Sequence, residues 1–148
     1  ITGIYTVLVE GDDLTEPIAD AAKGILDGHV VLSRKFANRG HFPAIDPLDS
    51  ISRVADQVSD PNHVVARRRL LELLAAHRES EELINIGAYA PGSNPMTDVA
   101  IALKPAIDTY LRQERDERAE FPVTCRALCE IAAESERLRV AAVAAKGG

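Results

Sequence analysis

The pattern of apolar residues changes at Pro61, and this change divides the chain into two parts of different predicted architecture. Beyond Pro61, apolar side chains recur at helical spacing, and in the first such segment the arginines 67–69 interrupt them, which is typical of an amphipathic helix. Helices are predicted over residues 63–78, over 80–87 with Gly87 as the stop, over 97–115 with a kink near Pro105, and over 122–144, with a loop over 88–95. We therefore predict a boundary near residues 58–62, with residues 1–60 as one part and residues 61–148 as an all-α part.

The part before this boundary alternates strand and helix patterns. Residues 4–9 are apolar or β-branched at nearly every position, which is typical of a strand buried on both faces, as in a parallel sheet. A helix is predicted to begin at Pro17 and to stop at Gly28, and a second short strand follows over residues 29–32. This order predicts a βαβ unit in a mostly parallel sheet, followed by an irregular segment over residues 34–61.

Composition narrows the classes of fold and partner. Apolar residues make up 46% of the chain but aromatic residues only 4%, so the core is expected to consist of aliphatic side chains in helices rather than an all-β sandwich. The net charge of -6 argues against nucleic acid as a partner, because nucleic-acid-binding proteins usually present a basic face. No stretch of the sequence reaches the roughly 18 apolar residues of a membrane span.

Motifs of an independent catalytic or metal site are absent from the sequence. Cys125 and Cys129 are expected to be reduced thiols on one helix, and the four histidines share no zinc-binding spacing. No GxxxxGK[ST] phosphate loop, G-x-S-x-G or H-E-x-x-H motif occurs in the chain. We therefore expect no metal site.

Three polar residues near the predicted strand and boundary could serve either structure or function. Asp12 and Asp13 follow the first predicted strand, where they could cap the helix that begins at Pro17 or contribute to a nucleotide or interface site. Arg53 lies in a polar loop, either as a surface or ion-paired arginine or as a group that reaches the phosphoryl charge in another subunit.

Two blocks of the first part carry a family resemblance. The stretch ITGIYTVLVEGDDLTEPIADAAKGILDGHVVLSR and the following GHFPAIDPLDSISRV resemble the flagellar type III protein-export ATPases, which are relatives of the α and β subunits of rotary ATP synthases. The segment INIGAYAPGSNPMTD resembles the helical C-terminal domain of the same family. The resemblance covers residues 1 to about 132 and implies an α/β remnant of a RecA-like P-loop ATPase core followed by an all-α C-terminal helical domain, mostly α overall.

The resemblance also implies roles for two residues. Enzymes of this family form rings of six subunits with ATP bound between neighbours, and by position Arg53 matches their arginine finger, which acts in trans on the neighbour's nucleotide. Leu8 matches a position in the vicinity of the adenine base. The family's Walker A loop, catalytic Glu and Walker B Asp precede the segments that match, so ATP and Mg are expected as cofactors of the parent enzyme. Neither is expected to bind tightly to this chain, which would be inactive alone.

Partners and location follow from the same resemblance. Residues 88–98 match the loop that faces a central stalk in the rotary synthases. The expected partners are further copies of the subunit, a stalk protein, a regulator, the export gate and chaperone-bound cargo, without nucleic acid. The expected location is the cytoplasm, peripheral to the membrane at the base of the flagellar export apparatus.

Two alternatives remain open from the sequence. The chain could belong to an injectisome ATPase or to a rotary ATP synthase subunit, since PLDS is shared with the synthase catalytic subunit. It could instead be a stand-alone helical module that binds chaperones without contacting nucleotide.

Overall fold

The fold consists of a small α/β part followed by three long helices, in a computed structural model that describes residues 2–9 and 15–146. The elements in order are α1 (Pro17–Ile25), β1 (Gly28–Leu32), α2 (Arg34–Asn38), β2 (Ile45–Ser52), α3 (Ala55–Val58), α4 (Pro61–Asn85), α5 (Pro95–Leu111) and α6 (Phe121–Lys146). This order confirms the predicted mostly α fold with a smaller α/β part at its start.

The core lies between α4, α5 and α6. Leu73 and Ile107 are fully buried there, and each such aliphatic side chain contributes roughly 1.5–3 kcal/mol through burial. The remaining buried members are small or aliphatic, as the low aromatic content predicts: Ala66, Leu70, Ala76, Val99, Ala100, Leu103 and Leu128. Arg69 connects α4 to α6, because its Nε donates to Oγ of the fully buried Ser135 at 2.8 Å.

Local sequence determines where the long helices begin and end. Asp60 accepts a hydrogen bond from the backbone N of Asn62 at 2.8 Å and so caps the start of α4, where Pro61 occupies the first turn. At the other end, Gly87 has a φ of +70°, and the backbone N of Ala88 donates to the carbonyl of Leu83 at 2.8 Å. This is the Schellman arrangement, so the predicted stop at Gly87 is confirmed.

The prediction of two helices over 63–78 and 80–87 was wrong, because α4 is one continuous helix of 25 residues. Between Pro61 and Gly87 no proline or glycine interrupts the backbone, and Ser80 lies within 3.4 Å of Thr97 Oγ1 on α5 without breaking α4. The loop after α4 and the two later helices are confirmed within a few residues of their predicted bounds.

The sheet differs from the predicted parallel arrangement. It has two strands, and β1 pairs with β2 antiparallel, in the register Gly28 with Ser52 and Leu32 with Ile45. The segment predicted to be irregular therefore contains β2 as well as α2 and α3, a correction to the interpretation of residues 34–61. Its prolines obscured the strand pattern, although Pro47 is tolerated because β2 has an unpaired side in the described part of the chain.

Two further predictions near the start of the chain were wrong. Residues 2–9 form no strand, and Ile4 and Leu8 are almost fully exposed, because no other described segment pairs with them. Gly28 does not cap α1, which ends at Ile25, but begins β1. A Cβ at Gly28 would lie 2.6 Å from the carbonyl oxygen of Ile51, so the close approach of β2 explains this glycine.

Replacement of a fully buried leucine tests the position of the core. We expect Leu73→Ala to lower the free energy of unfolding by about 2–5 kcal/mol, because it removes buried methyl groups and leaves a cavity. Val65 on the same helix is 67% exposed, so Val65→Ala is the matched control, with an expected change within about 0.5 kcal/mol. Urea unfolding followed by circular dichroism measures both, and equal losses for the two variants would contradict this core.

Candidate functional site

Arg53 lies directly after β2, at the edge of the α/β part. Its backbone N donates to the carbonyl of Asp27 at 2.8 Å, which fixes the main chain beside the turn between α1 and β1. Its side chain is exposed, and Nη2 donates to the carbonyl of Lys23 in the last turn of α1 at 3.2 Å. The backbone of Arg53 is therefore held in place while its guanidinium stays accessible to another molecule.

An open depression of about 300 Å³ lies beside the Arg53 guanidinium. It is lined by Asp20, Lys23, Gly24, His29, Ile51 and Arg53. His29 is oriented there by a 3.1 Å contact between its Nε2 and the carbonyl oxygen of Asp49. The depression brings the cationic groups of Lys23 and Arg53 to an accessible edge, with Asp20 among its lining residues.

The other sequence-predicted site residues do not join Arg53 in this depression. Leu8 is 94% exposed and does not line it, so the structure does not bring the predicted adenine contact and the predicted finger together. Asp12 and Asp13 lie outside the described residues.

A charged contact between β2 and α4 was missed by the sequence reasoning. Arg78 on α4 donates from Nη2 to Oδ1 and Oδ2 of Asp46 at 2.5 and 2.6 Å, and from Nη1 to Oδ1 of Asp49 at 3.0 Å. Asp46 is buried, with 6% of its surface exposed. Burial acts to lower the pKa of Arg78, but the hydrogen bonds and negative charges of Asp46 and Asp49 together outweigh it and raise the pKa.

A second charged contact joins the same face of α4 to α2. Glu81 accepts from Lys35 Nζ at 2.5 Å and from Arg39 Nη1 at 2.8 Å. The hydrogen bonds from Lys35 and then Arg39 lower the pKa of Glu81 from 4.5 to about 2. In the sequence these two contacts are visible only as two oppositely charged residues, Arg78 and Glu81, three positions apart. Their partners lie about 30 to 45 residues away along the chain, so no local pattern links them.

The loop between α4 and α5 is held by its own side chains. The Tyr89 hydroxyl donates to Asp98 Oδ1 at 3.0 Å, and the backbone N of Gly92 donates to Oδ2 of the same carboxylate at 3.0 Å. The Asn94 side chain caps α5 by accepting from the backbone N of Met96 at 2.9 Å. The acidic residue therefore binds the loop internally, and the loop presents a fixed backbone shape rather than a charge.

His41 and Cys125 each contact a neighbouring aromatic or imidazole side chain. His41 is buried against Phe36, and burial followed by the charge of Arg112 lowers its pKa. Cys125 Sγ lies 3.7 Å from His63 Nδ1, but within residues 2–9 and 15–146 no cluster of three or more His, Cys, Asp or Glu side chains could hold a metal ion. Among the helices in the same residues, none combines the length and apolar character needed to cross a bilayer.

Two family models match the chain in succession. Residues 1–52 match the nucleotide-binding domain of the ATP synthase alpha/beta family, and residues 59–130 match the C-terminal domain of the type III secretion ATPase EscN. The first match lies over the α/β part and the second over α4, α5 and the start of α6.

Individual relatives match most of the chain. The flagellum-specific ATP synthase of Bacillus subtilis is 48% identical over 92% of this chain and 31% of the relative. The type 3 secretion system ATPase of Pseudomonas syringae pathovar tomato is 45% identical over 90% of this chain and 30% of the relative. The chain thus spans about a third of the length of these curated relatives.

Solved structures show the same similarity in three dimensions. The assembled ATPase EscN of enteropathogenic Escherichia coli superposes with a TM-score of 0.81 at 38% identity, over 86% of this chain and 31% of that one. Assembled EscN in complex with its central stalk EscO superposes with a TM-score of 0.73 at 36% identity, over 78% of this chain and 29% of that one. The described fold therefore matches the corresponding third of EscN.

The depressed pKa of Glu81 predicts a specific dependence of stability on acid. Because the pKa in the folded chain is about 2 rather than 4.5, the stabilisation by Glu81 is complete above pH 4.5 and is lost as pH falls toward 2. We expect Glu81→Gln to flatten this part of the curve of unfolding free energy against pH, measured by urea unfolding. Glu130→Gln, at an exposed position of α6, is the control; identical curves for Glu81→Gln and the unmodified chain would contradict the contact.

Proposed function

Because the chain belongs to the family of flagellum-specific and type 3 secretion ATPases and matches their C-terminal region, we propose that it forms this part of an ATPase whose ATP hydrolysis energises protein export. Arg53 is its catalytic residue and acts in trans, on the nucleotide bound by a neighbouring subunit. The observation that carries this proposal is the exposed Arg53 guanidinium on a main chain fixed by its bond to Asp27.

Arginine suits this role for a physical reason. Its guanidinium is planar and permanently charged, so it can contact several phosphate oxygens at once as negative charge develops during transfer. The 3.2 Å bond to the Lys23 carbonyl lies at an exposed site, where replacing it with a stronger phosphate contact costs little.

The chain alone does not supply the rest of the phosphoryl-transfer machinery. No phosphate loop occurs in its sequence, and its described residues offer no ligand cluster that fits magnesium. We therefore assign ATP and magnesium to the parent enzyme, where magnesium neutralises phosphate charge, and we expect no hydrolysis by this chain alone. Leu8, fully accessible in the structure, is proposed only as an apolar contact for the adenine ring.

The proposed assembly is a ring of six subunits with this chain's helices at one end. The assembled EscN structures, one of them with its central stalk, support a homo-oligomer and a stalk partner. The loop between α4 and α5 is the proposed stalk contact, through its internally fixed backbone. We further propose a domain boundary near residues 58–62. The proposed partners also include the export gate, a regulator and chaperones, and the proposed location is the cytoplasm at the base of the export apparatus.

Similarity alone does not separate flagellar from injectisome export, since the two relatives differ by only a few per cent in identity. The flagellar assignment rests on the EGDD and GAY segments of the sequence, and the injectisome remains the alternative.

Removal of the Arg53 side chain in the complete ATPase tests the proposed catalytic role. We expect Arg53→Ala to lower turnover about a thousandfold or more, as loss of an arginine finger does, while ATP still binds. Steady-state hydrolysis and equilibrium nucleotide binding measure the two effects. Arg126→Ala, which removes an exposed arginine from α6, should retain normal turnover; normal turnover of Arg53→Ala would remove the assignment.

A further inference from the structure

We propose that Arg78 is a positioning residue that holds β2, and through it Arg53, in a fixed relation to the helices α4–α6. This inference rests on the proposed role of Arg53 and extends it: the position of the helices would control whether the finger reaches the neighbouring nucleotide. Three links carry it, from the helices to Arg78, from Arg78 to β2, and from β2 to Arg53.

The first link is the place of Arg78 on α4. Leu73 and Ala76, which precede it on the same helix, are buried in the core against α5 and α6. A displacement of these helices as a unit therefore carries Arg78 with it, because packed helices move together rather than deform.

The second link is the contact between Arg78 and β2. The two Nη atoms of Arg78 donate to the carboxylates of Asp46 and Asp49, so the guanidinium is hydrogen-bonded to two residues of the strand. Asp46 is buried and also accepts from the backbone N of Leu48 at 3.0 Å. Separation of this pair would leave a buried carboxylate without its cation, which is strongly unfavourable, so β2 and α4 remain joined.

The third link runs along β2 to the finger. Ser50 Oγ donates to the carbonyl of Asp46 at 2.6 Å and accepts from the backbone N of Val31 at 3.0 Å. Further along, Ser52 pairs with Gly28, and the backbone N of Arg53 binds the carbonyl of Asp27. The register shifts between Val31 and His29, and the Ser50 side chain bridges this bulge, so β2 is connected from the residues that Arg78 binds to Arg53.

The neighbouring contact of Glu81 provides a matched control. Glu81 lies one turn beyond Arg78 on α4 and joins α2 rather than β2. Its replacement weakens the same interface between the two parts of the chain without releasing the strand that carries Arg53.

The test uses the complete ATPase and a double-mutant cycle. We expect Arg78→Gln to lower kcat about ten- to a hundredfold with little change in KM for ATP, because the finger is misplaced while the nucleotide site is intact. In an Arg53→Ala background, the same Arg78→Gln substitution should cause almost no further loss, since its effect acts through Arg53. Glu81→Gln should keep kcat within about twofold of the unmodified enzyme.

A general structural role would give a different pattern, with a raised KM, lost assembly or an equal further loss in the Arg53→Ala background. Any of these results, or normal kcat in Arg78→Gln, would overturn the proposal. If Arg78→Gln fails to fold, Arg78→Lys decides, because it keeps the charge but lacks the fork that grips both carboxylates. Arg78→Lys should then lower kcat at least about threefold, and normal kcat would overturn the inference. Normal turnover of Arg53→Ala alone would instead refute the underlying function.

Discussion

The packing of α4 against α5 and α6 supports the remainder of the structure. One face of α4 supplies Leu70, Leu73 and Ala76 to the core, and another presents Arg78 and Glu81 to β2 and α2. The sheet has two strands in the described residues and little core of its own, so its attachment to α4 determines its place. The position of Arg53, directly after β2, therefore depends on the attachment of the sheet to the helices.

Hydrophobic periodicity predicted the features that depend on local sequence. Helices α5 and α6, the short strand β1 and the stop at Gly87 were predicted, because caps, glycine and apolar spacing act within a few residues. The helical character of α4 was also predicted, but as two helices instead of one. The prediction of a strand over residues 4–9 was wrong because a strand needs a hydrogen-bonding partner, and the apolar composition of the segment cannot show whether one is present. The antiparallel pairing of β1 with β2 was not predicted, because β2 contains Pro47 and charged residues, which hide a strand pattern.

For the candidate site, too, the sequence pointed to one residue but could not show a contact that depends on tertiary structure. Only the family resemblance singled out Arg53 as a proposed arginine finger, since an arginine in a polar loop has many ordinary explanations when its motif is ignored. The grip of Arg78 on Asp46 could not be predicted, because the two residues are separated by 32 positions and neither periodicity nor composition links them. Contacts of this kind depend on tertiary structure, which brings a helix face against a strand from the other part of the chain.

The proposed role of Arg53 at the nucleotide site of a neighbouring subunit is tested most directly by mixing two defective forms of the complete ATPase. One form carries Arg53→Ala, and the other carries a replaced phosphate-loop lysine. Each should be nearly inactive alone, but mixed rings contain interfaces where an intact phosphate loop meets an intact Arg53. We expect ATP hydrolysis to reappear on mixing; mixed rings that form but remain inactive would contradict the action of Arg53 in trans.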